Sequence, residues 1–274
     1  TEADDNVVEM REIVKTFPGV RALDGVSFAV RAGEIHALVG KNGAGKSTLM
    51  HILTGLYPPD SGEIWVRGER IEGMTTGRAK EAGIALVAQH AKFVPGLSIA
   101  ENIFCGALPR LAAGFVDWGT LHREATERLR RFGLEVDVRR KMEAVSVAER
   151  QMIEIARALF ADAGVVILDE PTAPLPKHEV QVLFDFVRRQ RAAGASFIYI
   201  SHYLEEVFAL TDRVTVLRNG QVAGSAPTGE LTQAALVRLI SGAEVERFRR
   251  PARTTIGKPV LEIAGLSRPR AYEG

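Results

Sequence analysis

GEIHALVGKNGAGKSTLMHILTGL, residues 33–56, decides how this chain is read. GEIHALVG is a short apolar run closing on glycine, the pattern of a buried strand. KSTLMHILTGL carries its apolar residues at helical spacing. Between them GKNGAGKS, 40–47, fits G-x-x-x-x-G-K-[ST] without a gap. A strand before and a helix after is the setting in which that pattern cradles phosphate. Gly40, Gly43 and Gly45 let the backbone curl so that successive N–H groups point inward as an anion nest. The helix N-terminus near Lys46 adds its dipole. Lys46 is expected to present a point charge to the β- and γ-phosphates, and Ser47 a hydroxyl to Mg²⁺. A chance glycine-rich turn is the competing reading, and the flanking strand and helix weigh against it.

A phosphate loop alone does not separate a kinase, a GTPase and a motor. GVVILDE, 164–170, narrows the choice. Its continuous apolar run is the mark of a parallel strand covered on both faces. Such a strand delivers Asp169 and Glu170 at its carboxyl end, where ligands bind in open α/β sheets. Asp169 would hold Mg²⁺, directly or through water. Glu170 would then polarise an attacking water, as general base or as a positioning group. The plainer alternative is a pair of acids capping the next helix.

Around these two stretches the pattern alternates. Residues 7–14 and 25–30 read as short strands, 62–71 as a hairpin around Gly68, and 83–89 as a further strand. From Ser98 to about Phe160 the spacing is helical, which marks an inserted subdomain of about 93–160. A helix around 178–193, a strand at 195–201, a helix at 203–209 and the strands DRVTVLRNG and QVAGSA complete the series. Strands alternating with helices imply an α/β layer fold with a mainly parallel sheet.

Composition excludes several classes. The 274 residues are 46% hydrophobic and 25% charged, ordinary globular values. A net charge of +1 gives no global pull toward nucleic acid or an anionic membrane. The basic runs at Arg128–Arg131, Arg139–Lys141 and Arg247–Arg253 read as solvated helix faces or a linker. The lone Cys105 fits a reducing compartment. No apolar run approaches the ~20 residues that a spanning helix needs, and the acidic start TEADDN is unlike a secretory signal. A cytosolic protein is expected.

Five segments in order now resemble the ATP-binding cassette (ABC) ATPases: GKNGAGKST, Gln89 in ALVAQH, VSVAERQ at 145–151, VVILDEPTA at 165–173, and ISH with His202. The resemblance covers essentially the whole chain and implies a P-loop NTPase (RecA-like) core with an antiparallel β subdomain and an inserted α-helical subdomain. It implies that ATP is held by Gly40, Lys41, Asn42, Gly43, Ala44, Gly45, Lys46, Ser47 and Thr48. Phe17 in KTFPGV would stack on adenine, where the alternative is a core aromatic. Gln89 would touch Mg²⁺ and the water and relay nucleotide state to a membrane subunit. His202 would hold the γ-phosphate, where the alternative is a cap for helix 203–209. Two cassettes of this family pair head to tail, each completing the other's site with its signature segment.

FPGVRALDGVSF, VPGLSIAENIF, GFVDW and SVAERQMIEIARAL sharpen the resemblance toward importers of sugars and related small solutes. In those, one polypeptide carries two cassettes. The close of the chain agrees: VLEIAGLSR, 260–268, repeats the pattern of VVEMREIVK, 7–15. The expected division is therefore a first cassette over 1–242, a linker over 243–258 and the first strand of a truncated second cassette over 259–274. The expected partners are that second cassette, membrane-spanning permease subunits and, indirectly, an external solute-binding protein, with no nucleic acid. The implied place is the cytoplasmic face of the membrane, peripherally, the fragment itself being soluble.

Two departures matter. The family's usual signature is L-S-G-G-Q, whereas here it is Val145, Ser146, Val147, Ala148 and Glu149. Ser146 survives as a γ-phosphate donor at a helix start. Val147 is β-branched and takes positive φ at a cost. Glu149 suits the helix dipole but repels a polyphosphate. Pro176 stands where many cassettes place an aspartate that communicates across the dimer. One competent site on Lys46, Glu170 and His202, and one weak site completed by Ser146, are expected. The leading function is the ATP-hydrolysing subunit of a sugar importer. A soluble tandem cassette acting on ribosomes or nucleic acid is the alternative, disfavoured by the short linker and near-neutral charge. A nucleotide-gated binding module is opposed by Glu170 and His202, and a P-loop kinase would not need 145–151 or His202.

Overall fold

The structure is a computed structural model and describes residues 5–88, 93–112, 114–160 and 163–242. Gln89, the expected linker and the expected closing strand lie outside those residues. The described residues belong to one compact unit, Thr1–Ala243.

The chain opens with β1 (Asn6–Phe17) and β2 (Val20–Arg31), an antiparallel hairpin turning at Pro18-Gly19. Both strands run to twelve residues, longer than the short strands expected at 7–14 and 25–30. The reason is a bulge. Met10 and Ile13 both face the core three positions apart, so the alternation changes phase between them. Glu12 takes φ 51° there, and its amide and carboxylate both bond the Ser27 hydroxyl at 3.1 and 2.8 Å. A period-2 reading stops at such a shift.

Next come β3 (Ile35–Val39), α1 (Lys46–Leu53), β4 (Ser61–Val66), β5 (Glu69–Arg70), α2 (Thr76–Glu81) and β6 (Ile84–Val87). The helical stretch holds α3 (Ile99–Ile103), α4 (Trp118–Arg131) and α5 (Val147–Phe160). It is less continuous than its spacing suggests. Helix α3 stops at Phe104, Gly106 takes φ 87°, and Arg110 bridges Val116 before α4 begins. The remainder is β7 (Val165–Asp169), α6 (Lys177–Ala192), β8 (Ser196–Ile200), α7 (Leu204–Leu210), β9 (Arg213–Arg218), β10 (Gln221–Pro227) and α8 (Gln233–Ser241). Helices α2 and α8 were not anticipated. Helix α2 buries only Ala79, too little for a periodic signal. Helix α8 packs Leu236, Leu239 and Ile240 on one face, a helical spacing that the strand series did not take in. Thr75 and Thr232 cap the two helices.

Among the described residues these strands form two sheets. One is antiparallel, β2–β1–β4–β5. The other has the order β10–β9–β3–β8–β7–β6, parallel except for the β9–β10 pair. Strands β3 and β8 are buried at every position, as a sheet covered on both faces requires. Ile167, Ile198 and Ile200 pack with Leu49 and Leu53 of α1 on one face. Val166, Phe197 and Tyr199 pack with Ile155 of α5 and Phe186 of α6 on the other. The fold is therefore α/β with a mainly parallel core sheet, as expected.

Register positions the site. Leu38 lies opposite Ile200, and Ile200 opposite Asp169. The carboxyl ends of β3, β8 and β7 thus finish at one level, and the segments following them share one edge of the sheet.

Candidate nucleotide site

Between β3 and α1 the chain turns through Gly40, Gly43 and Gly45 at φ 155°, 78° and 107°. Space is as decisive as dihedral angle. A Cβ on Gly40 would lie 2.2 Å from the Leu217 carbonyl oxygen, and one on Gly45 2.7 Å from that of Ala22. Glycine lets the loop press against its neighbours. Gly45 is the N-cap of α1 and has no side chain to cap it, so the amides of the first turn are left for an outside acceptor. Lys46 folds back over the loop, donating from Nζ to the carbonyls of Gly40 at 2.8 Å and Lys41 at 3.1 Å. Burial lowers its pKa, opposed by the negative charges of Glu170 and Asp169.

A cleft of about 500 Å³ opens on this loop. Asn42, Gly43, Ala44, Gly45, Lys46, Ser47 and Thr48 line it from one side, Asp169 and Glu170 from the other. Phe17 and Val20 close one end. Phe17 is half-buried, with its ring 5.5 Å from Tyr57 in an edge-to-face contact, and is absent from the fully buried core. Val20 is 56% exposed and gives the cleft an apolar wall. No motif announces Val20. Its pairing with Phe17 across the hairpin turn puts it there.

Asp169 has its carboxyl pKa raised, first by burial and then by the adjacent charge of Glu170, with His51 and Lys46 opposing. Glu170 takes φ 48°, an uncommon conformation for a side-chain-bearing residue, and donates its N–H to the Ile200 carbonyl at 2.9 Å. Its Oε1 lies 3.2 Å from Nδ1 of His202. The structure therefore brings Phe17, the phosphate loop, Asp169, Glu170 and His202 to one edge. His202 does not cap α7. Tyr203 is the residue preceding that helix, and no side chain caps it.

A residue that no motif flagged braces these loops. The Glu206 carboxylate accepts from the hydroxyls of Thr172, Tyr199 and Ser201, each at 2.7 Å. Thr172 follows Glu170 and Ser201 precedes His202, so one side chain ties both loops together. The only trace in the sequence is an acid in the first turn of a short helix.

The signature residues lie at the start of α5, with Ser146 exposed and Ala148 buried. Val147 is helical and does not take positive φ. Ser146 and Glu149 cap one another reciprocally: Ser146 N–H to Glu149 Oε2 at 3.0 Å, and Glu149 N–H to Ser146 Oγ at 3.2 Å.

A family model described as ABC transporter matches residues 23–173, more than half of the chain. The chain is 46% identical over 262 residues to ribose import ATP-binding protein RbsA 3 of Rubrobacter xylanophilus, covering 96% of this chain and 53% of that protein. It is 42% identical over 263 residues to the galactofuranose transporter ATP-binding protein YtfR of Escherichia coli, covering 95% and 52%. The chain thus spans about half the length of the curated relatives it matches. A nucleotide-free ATP-binding cassette from an ABC transporter aligns with a TM-score of 0.72 at 25% identity, over 86% of this chain and 95% of that one. The ADP conformation of another such cassette aligns at 0.73 and 25%, over 88% and 96%.

Proposed function

Because the chain belongs to the ABC transporter family, we propose that it is the first ATP-binding cassette of the energy-coupling ATPase of a sugar importer. The observation that carries this is the meeting of Lys46, Asp169, Glu170 and His202 at one sheet edge, with the Glu170 and His202 side chains 3.2 Å apart. That constellation suits hydrolysis of a γ-phosphate rather than nucleotide binding alone. The names of the relatives supply the solute class, a ribose- or galactofuranose-type sugar.

The residues also suit a divalent cation. Asp169 is held up by burial and by the negative charge of Glu170, and the Ser47 hydroxyl lines the same cleft. One carboxylate and one hydroxyl, completed by phosphate and water, match the hard oxygen donors that Mg²⁺ prefers. Mg²⁺ bound there would neutralise charge developing on the transferred phosphate. Phe17 and Val20 take the adenine, and the loop amides and Lys46 orient the polyphosphate. Glu170 positions a water for in-line attack and accepts its proton, and His202 holds the γ-phosphate beside it.

In the whole protein this cassette pairs head to tail with a second one in the same polypeptide, joined through the 243–258 linker. One composite site, on Lys46, Glu170 and His202, turns over, and the other, completed by Ser146, is weak. The pair docks on membrane-spanning permease subunits from the cytoplasmic side, and an external binding protein delivers the sugar. Among the described residues no helix is long and apolar enough to cross a membrane.

The test is recovery of the full-length chain from solubilised host membranes, read by mass spectrometry. A co-purifying multi-span subunit, with ATP turnover raised by its sugar-loaded binding protein, is expected. Ribosomal proteins in its place, with no membrane subunit, would overturn the importer reading.

A further inference from the structure

The start of α5 is the segment that should meet a partner site's γ-phosphate, yet the amides of Ser146, Ala148 and Glu149 already donate to side-chain oxygens. The helix has fourteen residues, long enough for its N-terminus to attract anions. Ser146 N–H donates to Glu149 Oε2 at 3.0 Å, and Glu149 N–H donates to Ser146 Oγ at 3.2 Å. Ala148 N–H donates to Oε2 of Glu179 at 3.2 Å. This last contact comes from a different element, the first turn of α6. The neighbouring cation is directed at backbone carbonyls that precede the helix. Arg150 turns back on the backbone, with Nε on the Val145 carbonyl at 2.8 Å and Nη2 on that of Glu143 at 2.9 Å, and lies over the Phe93 ring at 5.2 Å.

We propose that Glu149 and Glu179 together form a carboxylate latch that fills the anion site of this signature segment and turns away a γ-phosphate. The inference rests on the nucleotide reading above and adds Glu179 to it. Two carboxylates on one helix start cancel its dipole and set like charge against a polyphosphate. Pro176 provides the geometry: it is the N-cap of α6, and the Glu179 N–H bonds its carbonyl at 2.9 Å. The helix that follows Glu170 is thereby tied to the segment serving the opposite site. Two copies of this chain should then fail to clasp ATP between them, because each would offer the other a negative signature.

The experiment uses the 274-residue chain with Glu170→Gln to prevent turnover. Light scattering after gel filtration reads its mass with ATP and Mg²⁺, and a separate titration reads ATP binding. The Glu170→Gln chain is expected to bind ATP and stay monomeric. Adding Glu149→Gln and Glu179→Gln, which keep an acceptor for each amide, should produce an ATP-dependent dimer, with a dissociation constant lowered by at least about tenfold. High salt should narrow that gap, because the obstacle is charge. Three results would each overturn the latch: an ATP-dependent dimer in the Glu170→Gln parent as stable as in the triple variant, a triple variant that binds ATP but stays monomeric, or a gap that salt leaves unchanged. Failure of the parent to bind ATP at all would instead refute the nucleotide reading, and the latch would fall with it.

Discussion

Glu170 Oε1 and His202 Nδ1 stand 3.2 Å apart, although thirty-two positions separate the two residues. Parallel pairing of β7 with β8 makes them neighbours, and the positive φ of Glu170 turns its side chain out of the strand line. Holding a non-glycine residue there costs on the order of 1 kcal/mol or more. Activity and stability should therefore part company at this position. Glu170→Gln in the full-length chain should cut ATP turnover by about 10²–10³ with ATP binding retained. Glu170→Gly should lose turnover equally yet raise the melting midpoint, since glycine accepts the dihedral freely. Phosphate-release kinetics and thermal melts on the two variants check this, and near-normal turnover in Glu170→Gln would remove the carboxylate from the mechanism.

Asp169 carries a pH signature. Its carboxyl pKa is raised from 3.8 by burial and by the charge of Glu170. Between the ordinary and the raised value, the folded chain binds more protons than the unfolded one. Stability therefore falls as pH rises through that window, and the penalty is complete above it. Asp169→Asn should raise the melting midpoint of the nucleotide-free chain at neutral pH by about a degree or two, small because the site is partly solvated. The gain should vanish below about pH 4. The same variant should lose the extra stability that Mg²⁺ with ATP confers over ATP alone. Melts across pH, with and without nucleotide, distinguish this from a variant that merely loosens the loop.

The adenine end gives a cleaner separation of binding from folding. Phe17 is half-buried and meets Tyr57 only edge-on. Phe17→Ala should weaken ATP affinity by about tenfold, the scale of one lost base stack, and Phe17→Trp should hold it. Because Phe17 lies outside the fully buried core, its removal should shift the melting midpoint little. A large loss of stability with unchanged affinity, read by calorimetry, would make Phe17 a packing residue instead.

The glycine loop and the acids Asp169 and Glu170 were readable because their signals are local, whereas Phe17 and His202 were named only through the family resemblance. A glycine loop between strand and helix, and an apolar strand delivering two acids, each sit in one continuous run. The parallel sheet was legible for the same reason: β3, β7 and β8 are unbroken apolar segments. What escaped depends on distance or on phase. The β1 bulge shifts the alternation between Met10 and Ile13, which hides half of the first hairpin. Glu179 reaches Ala148 across 31 positions and Glu206 reaches Thr172 across 34. Contacts of that kind leave no periodic trace, and only tertiary packing brings the partners together.

Glu206 is the strongest case, because its effect should outrun its apparent distance from the chemistry. Its carboxylate takes three hydroxyl donors, two of them from loops that carry Glu170 and His202. The Tyr199 phenol is fully buried, and its pKa is pushed up, first by burial and then by the charge of Glu206, so it remains a donor at every working pH. Glu206→Ala leaves buried hydroxyls without an acceptor and should cost about 3 kcal/mol of stability. Tyr199→Phe removes one donor only and should cost about 1 kcal/mol. In the full-length chain Glu206→Ala should lower the rate of ATP cleavage by about tenfold. ATP affinity should change little, since the phosphate loop makes none of the three bonds. Denaturant unfolding gives the stabilities, and single-turnover kinetics separate cleavage from binding. Unchanged cleavage with the expected stability loss would confine Glu206 to holding the fold.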